Sequence, residues 1–228
     1  MNRTVILPTL NELDGVCALA PNLQRLPADE VLAVDGGSTD GTLDRLKSLG
    51  IAIYQQRRPG RGAGIREGVA ATQGELIVVF SPDGNEDPAD IPVLFELLEN
   101  GCDMAVGSRF LPGARNEEDE ARLPLRKWVN LGFTRLANAL WAPPGVHVSD
   151  AINGLRGFRR EAFLQMSPQS ERFTIEYEMT QRALRLGLRI DEVPTREGAR
   201  IGGESKAPSI RTGVEFCRFV VGQIVKGA

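Results

Sequence analysis

Residues 75–88 read Glu75-Leu76-Ile77-Val78-Val79-Phe80-Ser81-Pro82-Asp83-Gly84-Asn85-Glu86-Asp87-Pro88. The apolar run through Phe80 reads as a buried strand, and it stops abruptly at Ser81. Asp83 and Asn85 therefore stand just past the carboxyl end of that strand. In open α/β sheets this edge is where ligands bind. Two oxygen-bearing side chains on a turn stiffened by Pro82 suit a hard divalent cation held beside phosphates. The same residues also make an ordinary Pro-Asp-Gly turn, so the reading rests on the rest of the chain.

Working outward, apolar runs at residues 4–7, 31–34, 51–54, 76–80 and 104–106 read as strands. Helical patterns lie between them, at about residues 13–26, 41–49, 64–72 and 88–100, with Gly50 and Gly101 placed as left-handed stops. This β-α-β-α order predicts an α/β fold, a Rossmann-like and mostly parallel central sheet with helices on both faces. Beyond it, residues 113–122 carry Glu117-Glu118-Asp119-Glu120 and read as an exposed loop. A helix over residues 125–141 follows and is broken by Pro143-Pro144-Gly145.

With 228 residues, 42% of them hydrophobic, the chain fits one large domain, residues 1–228. A net charge of -3 argues against a general nucleic-acid binder. Cys17, Cys102 and Cys217 are scattered and odd in number, as expected of thiols in a cytoplasmic protein. His147 is the sole histidine, which excludes a multi-histidine metal site and argues against a Ser/His/Asp triad. Met1-Asn2-Arg3-Thr4 runs directly into a strand, with no secretory pattern. The apolar stretch at residues 214–225 is too short to span a bilayer. A soluble or peripheral protein is expected.

Three strand ends carry polar turns: Pro8-Thr9-Leu10-Asn11-Glu12, Asp35-Gly36-Gly37-Ser38-Thr39-Asp40-Gly41-Thr42, and the Asp83 turn. A parallel sheet brings all three to one edge. Together they offer side chains for a base and ribose, amide N–H groups for phosphate, and acidic oxygens for a cation. The bland reading of the second turn is a helix cap from Ser38 or Asp40. Gly60-Arg61-Gly62-Ala63-Gly64-Ile65-Arg66-Glu67-Gly68 has the wrong spacing for a dinucleotide fingerprint. It reads either as a helix entry with Arg61 or Arg66 near a diphosphate, or as plain helix–strand packing.

These turns, with Gly107-Ser108-Arg109-Phe110, Asp150-Ala151-Ile152-Asn153-Gly154-Leu155-Arg156, Glu192-Val193-Pro194 and Gly203-Glu204-Ser205-Lys206, resemble the family 2 glycosyltransferases, whose catalytic domain has the GT-A fold. Within that family the likeness is to dolichyl- and polyprenyl-phosphate sugar synthases. Two departures stand out. The second turn usually reads Asp-Asp where this chain has Asp35-Gly36, and the metal motif usually reads Asp-x-Asp where it has Ser81-Pro82-Asp83.

The resemblance implies a UDP- or GDP-sugar donor, held on residues 1–110 by Pro8, Leu10, Glu12, Asp35, Gly62 and Arg66. It implies Mg²⁺ or Mn²⁺ on Asp83 and Asn85, with catalytic roles for Asp83, Arg109 and Asp150. Residues 111–228 would bind the acceptor. A lipid phosphate acceptor, gathered by Arg109, Arg126, Arg200 and Lys206, needs no strong general base. An alcohol would need one, from Asp150 or Glu176. Such an enzyme would work in the cytoplasm, peripherally at the inner membrane face, in building cell-envelope glycans. The helix at 125–141, with Trp128, Trp141, Arg126 and Lys127, either lies in a membrane surface or packs in the core. Residues 210–225 pack on the body or on a second copy in a homodimer. Transfer to a soluble hydroxyl and a non-catalytic nucleotide-sugar binding module are the alternative readings.

Overall fold

β4 (Leu76–Val79) has no solvent-facing side, since all four residues are buried. A strand of this kind needs cover on both faces, and the computed structural model, which describes residues 1–202 and 209–225, supplies it. Before it come β1 (Arg3–Thr9), α1 (Leu13–Leu23), β2 (Glu30–Asp35), α2 (Thr42–Ser48), β3 (Ala52–Gln55) and α3 (Arg61–Ala71). After it come α4 (Asp90–Glu99), β5 (Met104–Ser108), α5 (Leu125–Trp141), β6 (Arg156–Arg159), α6 (Arg160–Met166), α7 (Ile175–Leu186), β7 (Ile190–Pro194) and α8 (Ser209–Val225).

The seven strands form one sheet in the order β3-β2-β1-β4-β6-β5-β7. β6 alone runs antiparallel to its neighbours. The sheet crosses residue 110, so both halves of the chain share one core. Strand order reverses between β1 and β4, and their carboxyl ends open a crevice there. Val5, Leu7, Val16, Leu46 and Phe95 fill one face of the sheet. Ile6, Val34, Ile65, Val69, Phe158 and Met179 fill the other.

The expected strands and helices of residues 1–110 are all present, within a few residues of their expected ends. Gly50 and Gly101 do take left-handed backbones, with φ of 74° and 95°. β6 and β7 were not anticipated as strands. β6 is Arg-Gly-Phe-Arg, whose first arginine is fully buried with its guanidinium on the carbonyls of Asn153 (2.9 Å) and Glu176 (2.7 Å). Hydropathy cannot register a charged side chain satisfied by distant backbone.

α5 and α8 join the body through a ring cluster. Tyr177 of α7 lies 5.8 Å from Phe133, 5.5 Å from Phe216, 5.9 Å from Phe219 and 6.1 Å from Trp141, between centroids. Such pairs add about 0.5–1.5 kcal/mol each beyond area burial. Trp141, Phe216 and Val220 are therefore core residues, while Trp128 remains 55% exposed. Among the described residues no helix is long and apolar enough to cross a membrane.

Candidate functional site

The first two turns are laced together at the sheet edge. Gly36 donates its backbone N–H to the Thr9 carbonyl at 2.8 Å, Asn11 its own to Ser38 Oγ at 2.8 Å, and Thr39 its own to Asn11 Oδ1 at 2.8 Å. Asn11 holds φ of 51°, a left-handed conformation that asparagine tolerates better than most residues. Asp35 is fully buried and accepts from Gly37 N, Ser38 N and Gln55 Nε2 at 2.8, 3.0 and 3.1 Å. Its carboxylate builds the turn, and Gly36 is the residue of that turn that faces the cleft.

The cleft has a volume of about 590 Å³. Pro8, Leu10, Glu12, Gly36, Arg61 and Asp83 line its polar end. Asp83 Oδ1 accepts the Asn85 N–H at 3.1 Å, and Oδ2 accepts Arg200 Nη1 at 2.7 Å. Arg200 Nη2 donates to Glu12 Oε2, so one guanidinium joins the first and third turns. The segment carrying Arg200 straps the Asp83 turn. Ile201 N donates to the Asp83 carbonyl at 2.8 Å, Gly198 N to the Asn85 carbonyl at 2.8 Å, and Asn85 Nδ2 to the Gly198 carbonyl at 2.6 Å.

Ser81 is served by a cation instead of being one half of a carboxylate pair. Arg61 Nη1 donates to Ser81 Oγ at 3.0 Å, and its Nε to Glu176 Oε1 at 2.5 Å. Glu86 Oε2 accepts the Ser81 N–H at 2.7 Å. Burial, only partly opposed by Arg61, pushes the Glu86 carboxyl up to about 8, so it is mainly protonated at neutral pH.

Among the described residues no group of three or more His, Cys, Asp or Glu side chains converges on a metal position. The donor chemistry still fits a hard cation of the Mg²⁺ kind, which takes one or two carboxylates and completes its shell with phosphate oxygens and water. A positive group, the Arg200 guanidinium, already sits between Glu12 and Asp83.

The far end of the cleft differs in character. Leu125, Val129 and Phe133 of α5, Phe173, and Phe216 of α8 form an apolar wall. Leu125 and Val129 are also 60% and 50% exposed, so the wall continues outward beside Trp128. Arg109 and Arg126 line the junction between the two ends. Arg109 grips Asp150 in bidentate fashion, Nε to Oδ2 at 2.7 Å and Nη2 to Oδ1 at 3.0 Å, with Glu197 at 3.6 Å from Nη1. Burial pushes the Glu197 carboxyl up to about 7, against the pull of Arg109.

Residues 4–166 match the family model described as glycosyl transferase family 2. The chain belongs to that family. It is a glycosyltransferase, 29% identical over 92% of its length, and 67% of the other chain, to glycosyltransferase AglJ of Haloferax volcanii. It is 28% identical to polyprenol monophosphomannose synthase of Mycolicibacterium smegmatis, covering 89% of this chain and 79% of that one. Among solved structures, glucosyl-3-phosphoglycerate synthase from Mycobacterium tuberculosis, in complex with Mg²⁺ and UDP, superposes with a TM-score of 0.76. That match has 21% identity and covers 97% of this chain and 78% of the other. The seven-stranded, mostly parallel sheet is thus the GT-A fold.

Against this glycosyltransferase fold the expected site residues separate into three groups. Pro8, Leu10, Glu12, Asp83, Asn85, Arg109, Arg126 and Arg200 all line the one cleft. Four others are placed differently. Asp35 turns inward as described. Gly62 packs under the loop at residue 170, where an added Cβ would lie 2.2 Å from the Ser170 carbonyl oxygen. Arg66 donates to the Gln169 carbonyl at 3.1 Å, leaving Arg61 as the arginine of that helix in the cleft. Asp150 is fully buried, its oxygens taken by Arg109 and by the N–H groups of Ile152 and Asn153. It grips Arg109 from beneath and is not among the residues that line the cleft. Arg200, expected at the acceptor phosphate, instead meets Glu12 and Asp83. Glu176, the other base considered, is held by Arg61. Lys206 lies outside the described residues. Sequence reading missed Glu197 and Arg172 of the cleft lining, because neither sits in a motif or periodic pattern.

Proposed function

We propose that this glycosyltransferase moves a sugar from a UDP- or GDP-sugar to a polyprenyl phosphate, with inversion at the transferred carbon. One observation carries the reading: a cleft polar at one end and walled by Leu125, Val129, Phe133 and Phe216 at the other. A small hydrophilic acceptor has no use for that wall, whereas an isoprenoid chain buries against it at roughly 25 cal/mol per Å² of apolar surface. The relative named as a polyprenol monophosphomannose synthase supports the same acceptor class.

In this reading Pro8, Leu10, Glu12 and Gly36 receive the nucleoside. Asp83 and Asn85 would hold Mg²⁺ or Mn²⁺, which offsets charge on a departing nucleoside diphosphate. Arg126 meets the acceptor phosphate, and Arg109, oriented by Asp150, adds positive charge beside it. With a second pKa of about 6, that phosphate is mostly a dianion near neutrality and attacks without a base. The cleft's outer wall suits a protein working against the inner membrane face.

A second reading, transfer to a hydroxyl, rests on Glu197, a cleft-lining carboxyl with a pKa of about 7, suited to proton abstraction. The fold similarity to an enzyme that glucosylates phosphoglycerate keeps that class in view. The test is radiolabelled transfer from a panel of UDP- and GDP-sugars to farnesyl phosphate and to 3-phosphoglycerate, with Mn²⁺. A butanol-extractable product supports the first reading. A product formed only from phosphoglycerate refutes it.

A further inference from the structure

The acidic loop is fully engaged with basic groups and amides. Glu118 accepts the Lys127 backbone N–H at 2.8 Å, Asp119 pairs with Lys127 Nζ, and Glu120 pairs with Arg115 at 2.8 Å. Those three contacts stay within the loop and the first turn of α5. Glu117 is different, because it contacts two residues that line the cleft, Arg126 and Asn85. Its Oε1 lies 2.5 Å from Arg126 Nη1, and its Oε2 lies 3.4 Å from Asn85 Nδ2. Its charge is also felt by Arg109 and Glu197 at the junction between the two ends of the cleft.

We propose that Glu117 is a specificity-determining residue, a tethered carboxylate that occupies Arg126 and is displaced by the acceptor's phosphate. The inference rests on the phosphate-acceptor reading above. A carboxylate oxygen and a phosphate oxygen ask the same thing of a guanidinium, so both compete for the same donors. The tether gives Glu117 a high local concentration at Arg126. A carboxylate or other monoanion arriving from solution meets an equal in charge and is rejected. A phosphate dianion carries more charge and displaces it. Glu117 thus supplies the repulsive element by which a site excludes wrong ligands. Its half-exposed partner, Arg126, has room to swing between the two.

The pair also links the two ends of the cleft. Displacing Glu117 from Arg126 frees it from Asn85 as well, beside the turn assigned to the cation. Acceptor arrival is therefore sensed at the donor end without any movement of the sheet.

The experiment is steady-state transfer to farnesyl phosphate by the wild type, E117Q, E117A, R126Q and the E117Q/R126Q pair, with farnesoate as a carboxylate inhibitor. An exposed ion pair of this kind is worth a factor of about two to five in binding. The expected result is a fall of about that factor in acceptor KM for E117Q and E117A, with stronger inhibition by farnesoate. The gain disappears in the R126Q background, because the competitor acts through that arginine. A merely structural role for Glu117 would raise KM or lower kcat, never improve acceptor binding. Unchanged or raised acceptor KM in both Glu117 variants overturns the proposal, as does a gain that persists without Arg126. Failure of the wild type to use any polyprenyl phosphate overturns the acceptor reading itself, and this proposal with it.

Discussion

Replacing Arg109 with alanine strands a carboxylate in the interior of the protein. Asp150 is fully buried and loses two guanidinium hydrogen bonds, at 2.7 and 3.0 Å. It keeps three backbone donors, Arg109 N at 3.2 Å and the N–H groups of Ile152 and Asn153 at 3.1 Å each. Breaking a buried pair by removing one partner costs about 3–5 kcal/mol, and the surviving amides put this case near ~3 kcal/mol. In a domain of this size that corresponds to a melting temperature lower by about 6–12 °C. The pH dependence sharpens the test. Against the upward push of burial, Arg109 and the amides hold the Asp150 carboxyl below its usual value. The stability it contributes to the wild type is present above the unfolded pKa of about 4 and lost as pH falls below it. In the variant burial acts with less opposition, the folded pKa rises above the unfolded one, and the penalty grows with pH. Thermal unfolding followed by circular dichroism should therefore show the gap between wild type and variant narrowing from pH 7 to pH 4. A double variant, R109L/D150N, should recover more than half of the loss. Melting within about 2 °C of wild type, or a gap that widens in acid, would refute the reasoning.

Three further outcomes are expected. Asp83→Asn removes the carboxylate at the core of its turn and should slow transfer by about 10²–10³-fold; a loss below tenfold sinks that role. Gly15→Ala should stabilise an isolated helix by about 1 kcal/mol. Here the new Cβ would meet the Pro82 carbonyl oxygen at 2.2 Å and Asp83 Cα at 2.9 Å, so the variant should melt lower and bind donor more weakly. An unchanged or raised melting temperature contradicts this. Glu197→Gln tests the pH linkage, since burial pushes the wild-type carboxyl from its ordinary 4.5 up to about 7. Stability from a raised pKa is complete below the unfolded value and lost as pH rises to the folded one. The melting advantage of Glu197→Gln should grow between those two values and level off above them. Parallel melting curves would exclude the shift.

Strand 76–80, the polar turns after three strands, and the helix at 125–141 were all legible because each is a local pattern. Arg156 shows where legibility ends: a charged side chain interrupts any apolar strand pattern at this position, yet the Asn153 and Glu176 carbonyls satisfy it in the interior. Asp35 shows a subtler limit. Its turn was placed at the cleft correctly, but its carboxylate spends its hydrogen bonds on Gly37 and Ser38, and the neighbouring glycine meets the ligand space. The acidic loop reads as solvated negative charge, whereas each of its carboxylates is held by α5 or by the loop itself.

The alternation of strands and helices over residues 1–110 and the meeting of the Glu12 and Asp83 turns at one sheet edge follow from short-range periodicity and turn chemistry, which operate over a handful of residues. The places of β6 and β7 in the sheet were decided instead by tertiary pairing. The partners of the charged groups do not follow from local signals either. Arg200 reaches Glu12 across 188 positions and Asp83 across 117, and no local preference records which carboxylate a distant arginine will meet. That choice is made when the chain closes, because a charge withdrawn from water must be met by an opposite charge or by hydrogen-bonding groups of the fold.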